Sequence, residues 1–330
     1  MYLSTTYLGL KLPHPFMAGA SPLSGDMDKV RQLEDAGASA IVLPSLFEEQ
    51  INQDKKLTYH VMETFGDSYG EALSYFPDPE NMKLGPHHYA DHLRKVKEAV
   101  DVPVIASLNG VSDAGWLDHA KLMQGAGADA LEINFYFVAT DLDENGQTAE
   151  DNLMHIVQHV KQAVSIPIAV KLSPFFSSFS NIGHKLDLAG VDGLILFNRF
   201  FQPDIDIEEI EIKPTLHLSD STELPLRLAW LGILAGRVKA SLAVTGGVHT
   251  VEDAIKSIMC GADAVQMVSA LLKHGPGHLR ETRDGVEQWF EEHAYESLSQ
   301  AKGSLSLEKA PDPAAYQRAN YMRLLHSWRM

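Results

Sequence analysis

The stretch AGADALEI at residues 126–133 decides the fold, because three similar stretches occur elsewhere in the chain. The glycine in second position suits the left-handed backbone that ends a helix, and the apolar run behind it suits a strand buried on both faces. Since each copy follows an amphipathic segment, the repeat marks the step from a helix to a parallel strand. The other copies are AGASAIVL at 36–43, AGVDGLIL at 189–196 and CGADAVQM at 260–267.

Four further apolar segments have the composition of buried strands, which brings the expected number of strands to eight. Those at 102–108 and 166–172 follow helical patterns, and the other two lie at 15–19 and 241–246. Eight strands that alternate with helices predict an α/β protein, a (β/α)8 TIM barrel that forms a single domain over residues 1–330. A doubly wound open sheet gives much the same local pattern and is the alternative.

Three segments do not fit the repeat. Residues 49–86 follow the second strand and are too long for an ordinary connection, so we expect an insertion over the barrel mouth. Residues 200–224 alternate isoleucine with acidic residues, as an exposed hairpin would. The tail at 303–330 contains two prolines and then a short amphipathic helix, which either covers the barrel or docks on a second subunit.

The chain is strongly acidic, with 27 Lys and Arg against 44 Asp and Glu and a formal net charge of −17. Such a charge disfavours nucleic acid and anionic membranes as partners. The sequence has neither a run of apolar residues long enough to span a membrane nor a signal-peptide pattern, so we expect a cytoplasmic location. Cys260 takes the small helix-ending position that alanine has in the other copies, which predicts a packing role. The spacing of the 15 histidines indicates no metal site.

In a TIM barrel the functional groups lie where the strands end, and VTGGVHTVEDA at 244–254 has the strongest pattern there. Gly246 and Gly247 let backbone N–H groups approach an anion, and the helix after them directs its positive end at the same place. With Val268 and Ser269 after the eighth strand, they predict a phosphate site. The alternative is that the glycines merely make a tight turn.

Lys171 ends a strand of apolar residues, so its ammonium must lie at the barrel mouth or be paired. It could stabilise negative charge on a reduced flavin, form a Schiff base as in an aldolase, or belong to a structural salt bridge. Asn134 and Asn198 also end strands and suit the amide edge of a flavin or a pyrimidine, and Asn109 is a weaker candidate.

Seven segments, in this order, resemble the dihydroorotate dehydrogenase family over nearly the whole chain. They are LGLKLPHPFMAGAS at 8–21, EIN at 132–134, VKLSPF at 170–175, ILFN at 195–198, PLRLAW at 225–230, TGGVHTVEDA at 245–254 and CGADAVQMVSAL at 260–271. The resemblance implies a homodimeric barrel with FMN as its cofactor. The implied FMN contacts are Ala20, Ser21, Asn109, Asn134, Lys171, Asn198, Gly246, Gly247, Val268 and Ser269.

The substrate half of the family pattern is altered. Pro44 stands where the family usually has a lysine after the second strand, and Arg199 replaces the usual Ser or Thr beside Asn198. In the fourth-strand motif, Phe137 replaces the Cys or Ser base and Ala139 replaces a substrate-binding Asn. Phenylalanine accepts no proton, and a general base typically contributes about 10² to 10⁴ in rate.

We therefore predict an FMN-dependent oxidoreductase of CH–CH bonds, whose substrate is a small polar molecule, of the pyrimidine type or another, other than dihydroorotate. Lys171, Asn134 and Asn198 would be the catalytic groups. Tyr136 and Asp141 are candidates for the missing acid or base. An extended strand would direct Tyr136 to the side opposite Phe137, whereas a loop could redirect it. The alternatives are a flavin-free lyase or aldolase that uses Lys171 covalently, and a flavin-holding subunit without catalysis of its own.

Overall fold

The computed structural model describes residues 2–47, 86–109, 113–199, 203–213, 217–317 and 319–327. Eight parallel strands close into a barrel, in which Gly193–Leu196 pairs with Ser241–Thr245 and Ala264–Met267 pairs with Phe16–Ala18. This confirms the TIM barrel and excludes the open sheet. The barrel strands are β3 (Phe16–Ala18), β4 (Ile41–Phe47), β5 (Val104–Asn109), β6 (Ala130–Asn134), β7 (Ile168–Leu172), β8 (Gly193–Leu196), β11 (Ser241–Thr245) and β12 (Ala264–Met267).

Helices surround the barrel and bury its outer face. In the described ranges they are α1 (Met27–Asp35), α2 (Pro86–Ala99), α3 (Asp113–Gly125), α4 (Gly146–Ala163), α5 (Phe179–Leu188), α6 (Leu224–Leu234), α7 (Val251–Cys260), α8 (Ser269–His274), α9 (His278–Glu292), α10 (Leu298–Ala301) and α11 (Ala319–Ser327). The expected insertion at 49–86 lies outside the described residues except for Pro86, which begins α2. None of the helices described is both long enough and apolar enough to cross a membrane.

The four sequence repeats adopt the expected helix-to-strand step. Their glycines have the positive φ that favours glycine, at Gly37, Gly127, Gly190 and Gly261. Three copies also carry an aspartate whose carboxylate accepts the N–H of a residue at or next to the start of the preceding strand and pairs with a lysine. These groups are Asp129 with Val104 and Lys97, Asp192 with Ile168 and Lys161, and Asp263 with Leu242 and Lys302.

A short hairpin closes the N-terminal end of the barrel. It consists of β1 (Thr5–Tyr7) and β2 (Leu10–Leu12), and its turn residue Leu8 donates its N–H to Ser241 Oγ over 3.2 Å. Tyr7 and Leu8 are fully buried in the barrel interior, where small side chains make room for them. The residues that make this space are Ala40, Ala130, Ala169, Ala243 and Ala264.

Two peripheral elements agree with the sequence. β9 (Asp204–Asp206) and β10 (Glu211–Lys213) form the expected exposed antiparallel hairpin. The start of the tail covers the barrel, because Leu307 donates its N–H to Gly232 O of α6 and the Tyr316 hydroxyl lies 3.6 Å from Cys260 Sγ of α7. Burial raises the pKa of the Cys260 thiol, which fits a packing role.

His14 makes the fold sensitive to acid. Burial, and after it the Arg283 guanidinium, lower the pKa of His14 to about 4, and its Nδ1 accepts the Phe16 N–H over 3.2 Å. Between pH 6.5 and about pH 4 the unfolded chain binds a proton there that the folded chain does not. Stability is therefore fully present above pH 6.5 and falls as the pH decreases through this window.

We expect His14→Asn, which keeps an acceptor for the Phe16 N–H but does not titrate, to reduce this acid sensitivity. Between pH 7 and pH 4.5 the wild type should lose up to about 3 kcal/mol more unfolding free energy than the variant. Denaturant unfolding at both pH values measures the difference. Parallel losses in the two proteins would contradict the assignment.

Candidate functional site

A cavity of about 370 Å³ opens at the C-terminal ends of the barrel strands, which is the position of TIM-barrel active sites. Its volume lies in the range of small-molecule sites. It is lined by Ala20, Ser21, Pro22, Phe47, Asn109, Asn134, Tyr136, Lys171, Phe197, Asn198, Arg199, Leu218, Ser219, Thr245, Gly246, Val268, Ser269 and Leu272. The lining includes every cofactor contact that the resemblance implied except Gly247.

Gly247 has a structural reason for being glycine. Its φ is +82°, and a Cβ there would lie 2.7 Å from the backbone nitrogen of Leu224, where α6 begins. Its N–H donates to Ser219 Oγ over 3.3 Å. Gly247 thus packs against the start of α6, while Gly246 lines the cavity.

Lys171 meets a buried carboxylate that the sequence analysis missed. Its Nζ lies 3.3 Å from Glu132 Oε1, and the side chains of Lys171 and Glu132 are 10% and 0% exposed. Glu132 precedes Asn134 by two residues on β6, so strand alternation directs both into the barrel. A glutamate inside the apolar run ALEI was the available signal, because a buried carboxylate requires a partner.

The Glu132 carboxylate joins further polar groups inside the barrel. Gln266 Nε2 donates to Glu132 Oε2 over 3.1 Å, and Ser107 Oγ donates to Glu132 Oε1 over 3.3 Å. Burial, and after it the Glu132 carboxylate, raise the pKa of Tyr7 well above its ordinary value, so the phenol is neutral. The carboxylate is therefore held from several sides, and Lys171 connects it to the cavity.

A bulge in β4 brings a hydroxyl to Asn134. The pairing of β4 with β5 shifts register between Val42 and Ser45, and Pro44, which has no N–H to donate, lies in that interval. Asn134 Nδ2 donates to Ser45 Oγ over 3.2 Å, whereas its Oδ1 is buried without a partner among the described residues. Pro44 itself does not line the cavity.

Asn198 is fixed by the ends of the neighbouring strands. Its Nδ2 lies 3.3 Å from Phe135 O and 3.4 Å from Lys171 O and donates to both carbonyls. The side chain is buried and lines the cavity. Asn198 therefore joins β8 to β6 and β7 in addition to facing the cavity.

The residues after β6 differ from the sequence expectation. Tyr136 lines the cavity together with Asn134, two residues before it, so Tyr136, and not Phe137 on the opposite side of the chain, faces the site. Phe137 packs against the core, and its ring centre lies 6.0 Å from that of Phe135. Asp141 is exposed outside the cavity and accepts the N–H of Asp143 in a turn.

Several lining residues were not foreseen, because they come from loops or carry apolar side chains without a pattern. One of them is Ser219, whose Oγ lies 3.3 Å from His249 Nε2 and whose N–H donates to Ser269 Oγ over 3.2 Å. Burial, and after it the Lys273 ammonium, lower the pKa of His249. Within the described ranges, no group of three or more His, Cys, Asp or Glu side chains is placed to hold a metal ion.

The comparisons with known proteins agree with this geometry. The family model described as dihydroorotate dehydrogenase matches residues 79–290, more than half of the chain. A dihydroorotate dehydrogenase B (NAD(+)) catalytic subunit of Thermoplasma volcanium is 26% identical, covering 91% of this chain and 97% of its own length. A putative dihydroorotate dehydrogenase A (fumarate) of Aeropyrum pernix is also 26% identical, covering 91% of this chain and 96% of its own length. The NAD-dependent dihydropyrimidine dehydrogenase subunit PreA of Escherichia coli K12 is 22% identical, covering 91% of this chain and 76% of its own length.

The buried pair predicts a coupled effect on stability. Lys171→Met leaves Glu132 buried without its cation, and breaking such a pair costs about 3–5 kcal/mol. Adding Glu132→Gln should restore most of the loss, because the remaining amide is neutral. The two single variants and the double variant, unfolded in denaturant, measure the coupling. Additive effects of the two substitutions would contradict the pairing.

Proposed function

The chain belongs to the dihydroorotate dehydrogenase family, and from this premise we propose that it is an FMN-dependent oxidoreductase. In this proposal the cofactor is held in the cavity at the C-terminal end of the barrel. The observation that carries the proposal is a buried lysine on the wall of a cavity that the side chains of Asn109, Asn134 and Asn198 also line.

The residues present fit an FMN molecule. Asn134 Oδ1, buried and without a partner among the described residues, offers an acceptor for a ring N–H. Gly246, Val268 and Ser269 line the end of the cavity where β11 and β12 finish, the usual place of a phosphate in this fold. Ala20 and Ser21 line the cavity after β3, the strand next to β12.

FMN bound there would supply hydride transfer. The protein's part is to place charge and to hold the reactants. Lys171 brings an ammonium to the wall, where it favours negative charge on a neighbouring ring. Asn134 and Asn198 would orient amide groups of the cofactor or of the substrate.

The acid or base must differ from the usual one. Phe137 is in the core and has no proton to exchange. The Tyr136 hydroxyl lies on a side chain that lines the cavity, so we assign it the proton transfer. With Pro44 and Ala139 also replacing polar residues of the family pattern, the substrate would be a small polar molecule other than dihydroorotate.

The lyase alternative is disfavoured by the Glu132 contact. A lysine that forms a Schiff base needs a neutral amine, usually obtained by desolvation or by a nearby cation. Lys171 instead lies 3.3 Å from a fully buried carboxylate, with which it forms an ion pair, and no second cation lines the cavity beside it among the described residues except Arg199.

We expect the purified protein to be yellow and to release FMN on denaturation, as measured by its visible spectrum and by mass analysis. Ala20→Trp, which places an indole in the cavity, should give a folded and colourless protein. Ala315→Trp, on the exposed tail, is the matched control and should remain yellow. Colourless wild-type protein that FMN does not reconstitute would refute the proposal.

Borohydride treatment provides a separate test of the lyase. Incubation with small aldehydes and ketones followed by borohydride should add no mass to the peptide that contains Lys171, because its amine is paired. Covalent trapping at Lys171 would instead favour a Schiff-base enzyme.

A further inference from the structure

Arg199 is a cation on the cavity wall, at a position where the family pattern has a hydroxyl. It directly follows Asn198 after β8, and its side chain is 30% exposed. Its Nη1 is buried and has no hydrogen-bond partner among the described residues. An unpaired guanidinium N–H of this kind is costly unless something else pairs with it.

The charges around Arg199 do not balance. A single carboxylate, that of Glu223, lies 3.4 Å from Arg199 Nη2 through Oε1 and 3.4 Å from Arg227 Nη2 through Oε2. Arg227 is 4% exposed and is held by the carbonyls of Thr245 and Glu223 over 2.8 and 2.7 Å. Two guanidinium groups thus share one carboxylate, and the described residues bring no other within 4 Å of either.

Lys171, which also lines the cavity, has a carboxylate partner of its own. Lys171 has Glu132 to itself among the described carboxylates, so that pair is neutral overall. The net positive charge of the cavity wall therefore lies at the Arg199 side. In a chain of net charge −17, such a local excess of positive charge favours an anionic ligand.

We propose that Arg199 binds a carboxylate group of the substrate and makes the site prefer anionic ligands to neutral ones. The proposal rests on the proposed function and deepens it by specifying the class of substrate. A guanidinium presents N–H groups in a fork that matches a carboxylate, whereas the hydroxyl of Ser or Thr cannot. Asn198, the neighbour of Arg199, would hold a polar group of the same molecule.

Calorimetric titration with matched pairs of ligands tests this, and it requires no colour from a flavin. The pairs are orotate with uracil, and benzoate with benzamide; only the first member of each is an anion. The wild type should prefer the acid in at least one pair. Arg199→Met should reduce that preference about 10- to 100-fold, the usual worth of a hydrogen bond to a charged group. Arg199→Lys should retain part of it.

Lys256→Met is the matched control, because it removes one positive charge from an exposed helix face of α7 and should leave the preference unchanged. Absence of a preference for either acid in the wild type would overturn the proposal, whether both members of the pair bind or neither does. So would an Arg199→Met protein with lowered affinity for FMN and unchanged affinity for riboflavin, since Arg199 would then bind the phosphate. Failure of the proposed function is distinguishable from these outcomes, because the purified wild-type protein would then contain no flavin and would not bind added FMN.

Discussion

The contact between Glu132 and Lys171 is the constraint on which the site depends. A lysine inside a closed barrel of apolar strands is costly unless a partner compensates it, and here the partner is fully buried on the neighbouring strand. Gln266 and Ser107 donate hydrogen bonds to the Glu132 carboxylate and so hold it in place. The Lys171 ammonium that pairs with this carboxylate is thereby held at the cavity wall. The pair also supports the proposed role of Lys171, because a paired ammonium can attract negative charge but is a poor nucleophile.

The same pair determines where the remaining charge of the cavity lies. If Lys171 were unpaired, the cavity would have cations on two sides, and an anion would have no preferred end. Because Glu132 neutralises Lys171 while Glu223 is divided between Arg199 and Arg227, the positive charge is concentrated after β8. In the proposed function, the position and the charge of the ligand are thereby coupled through residues that are far apart in the sequence.

The sequence predicts the barrel well because the fold has a local signature. Each repeat needs a glycine with positive φ and an apolar run, and both are visible in a few consecutive letters. The site is less predictable, because its partners meet only after closure of the barrel. Glu132 and Gln266 are 134 positions apart, and nothing local indicates that they touch. At Gly247 a local pattern is present but has another cause. The pattern suggested an anion site, whereas close packing against Leu224 explains why the residue is glycine.

The departures from the family pattern are far apart in the sequence but come from one side of the barrel, between β4 and β8. Pro44, Phe137 and Arg199 lie in β4, after β6 and after β8, whereas the groups assigned to FMN at β3, β11 and β12 keep the pattern. Loops at the ends of barrel strands can change without altering the strands that carry them. A barrel can therefore keep the strand-end residues assigned to the cofactor while neighbouring positions of the same mouth change the ligand that is bound. The bulge at Pro44 illustrates the point, since it brings Ser45 to Asn134 while the pairing of β4 with β5 resumes beyond it.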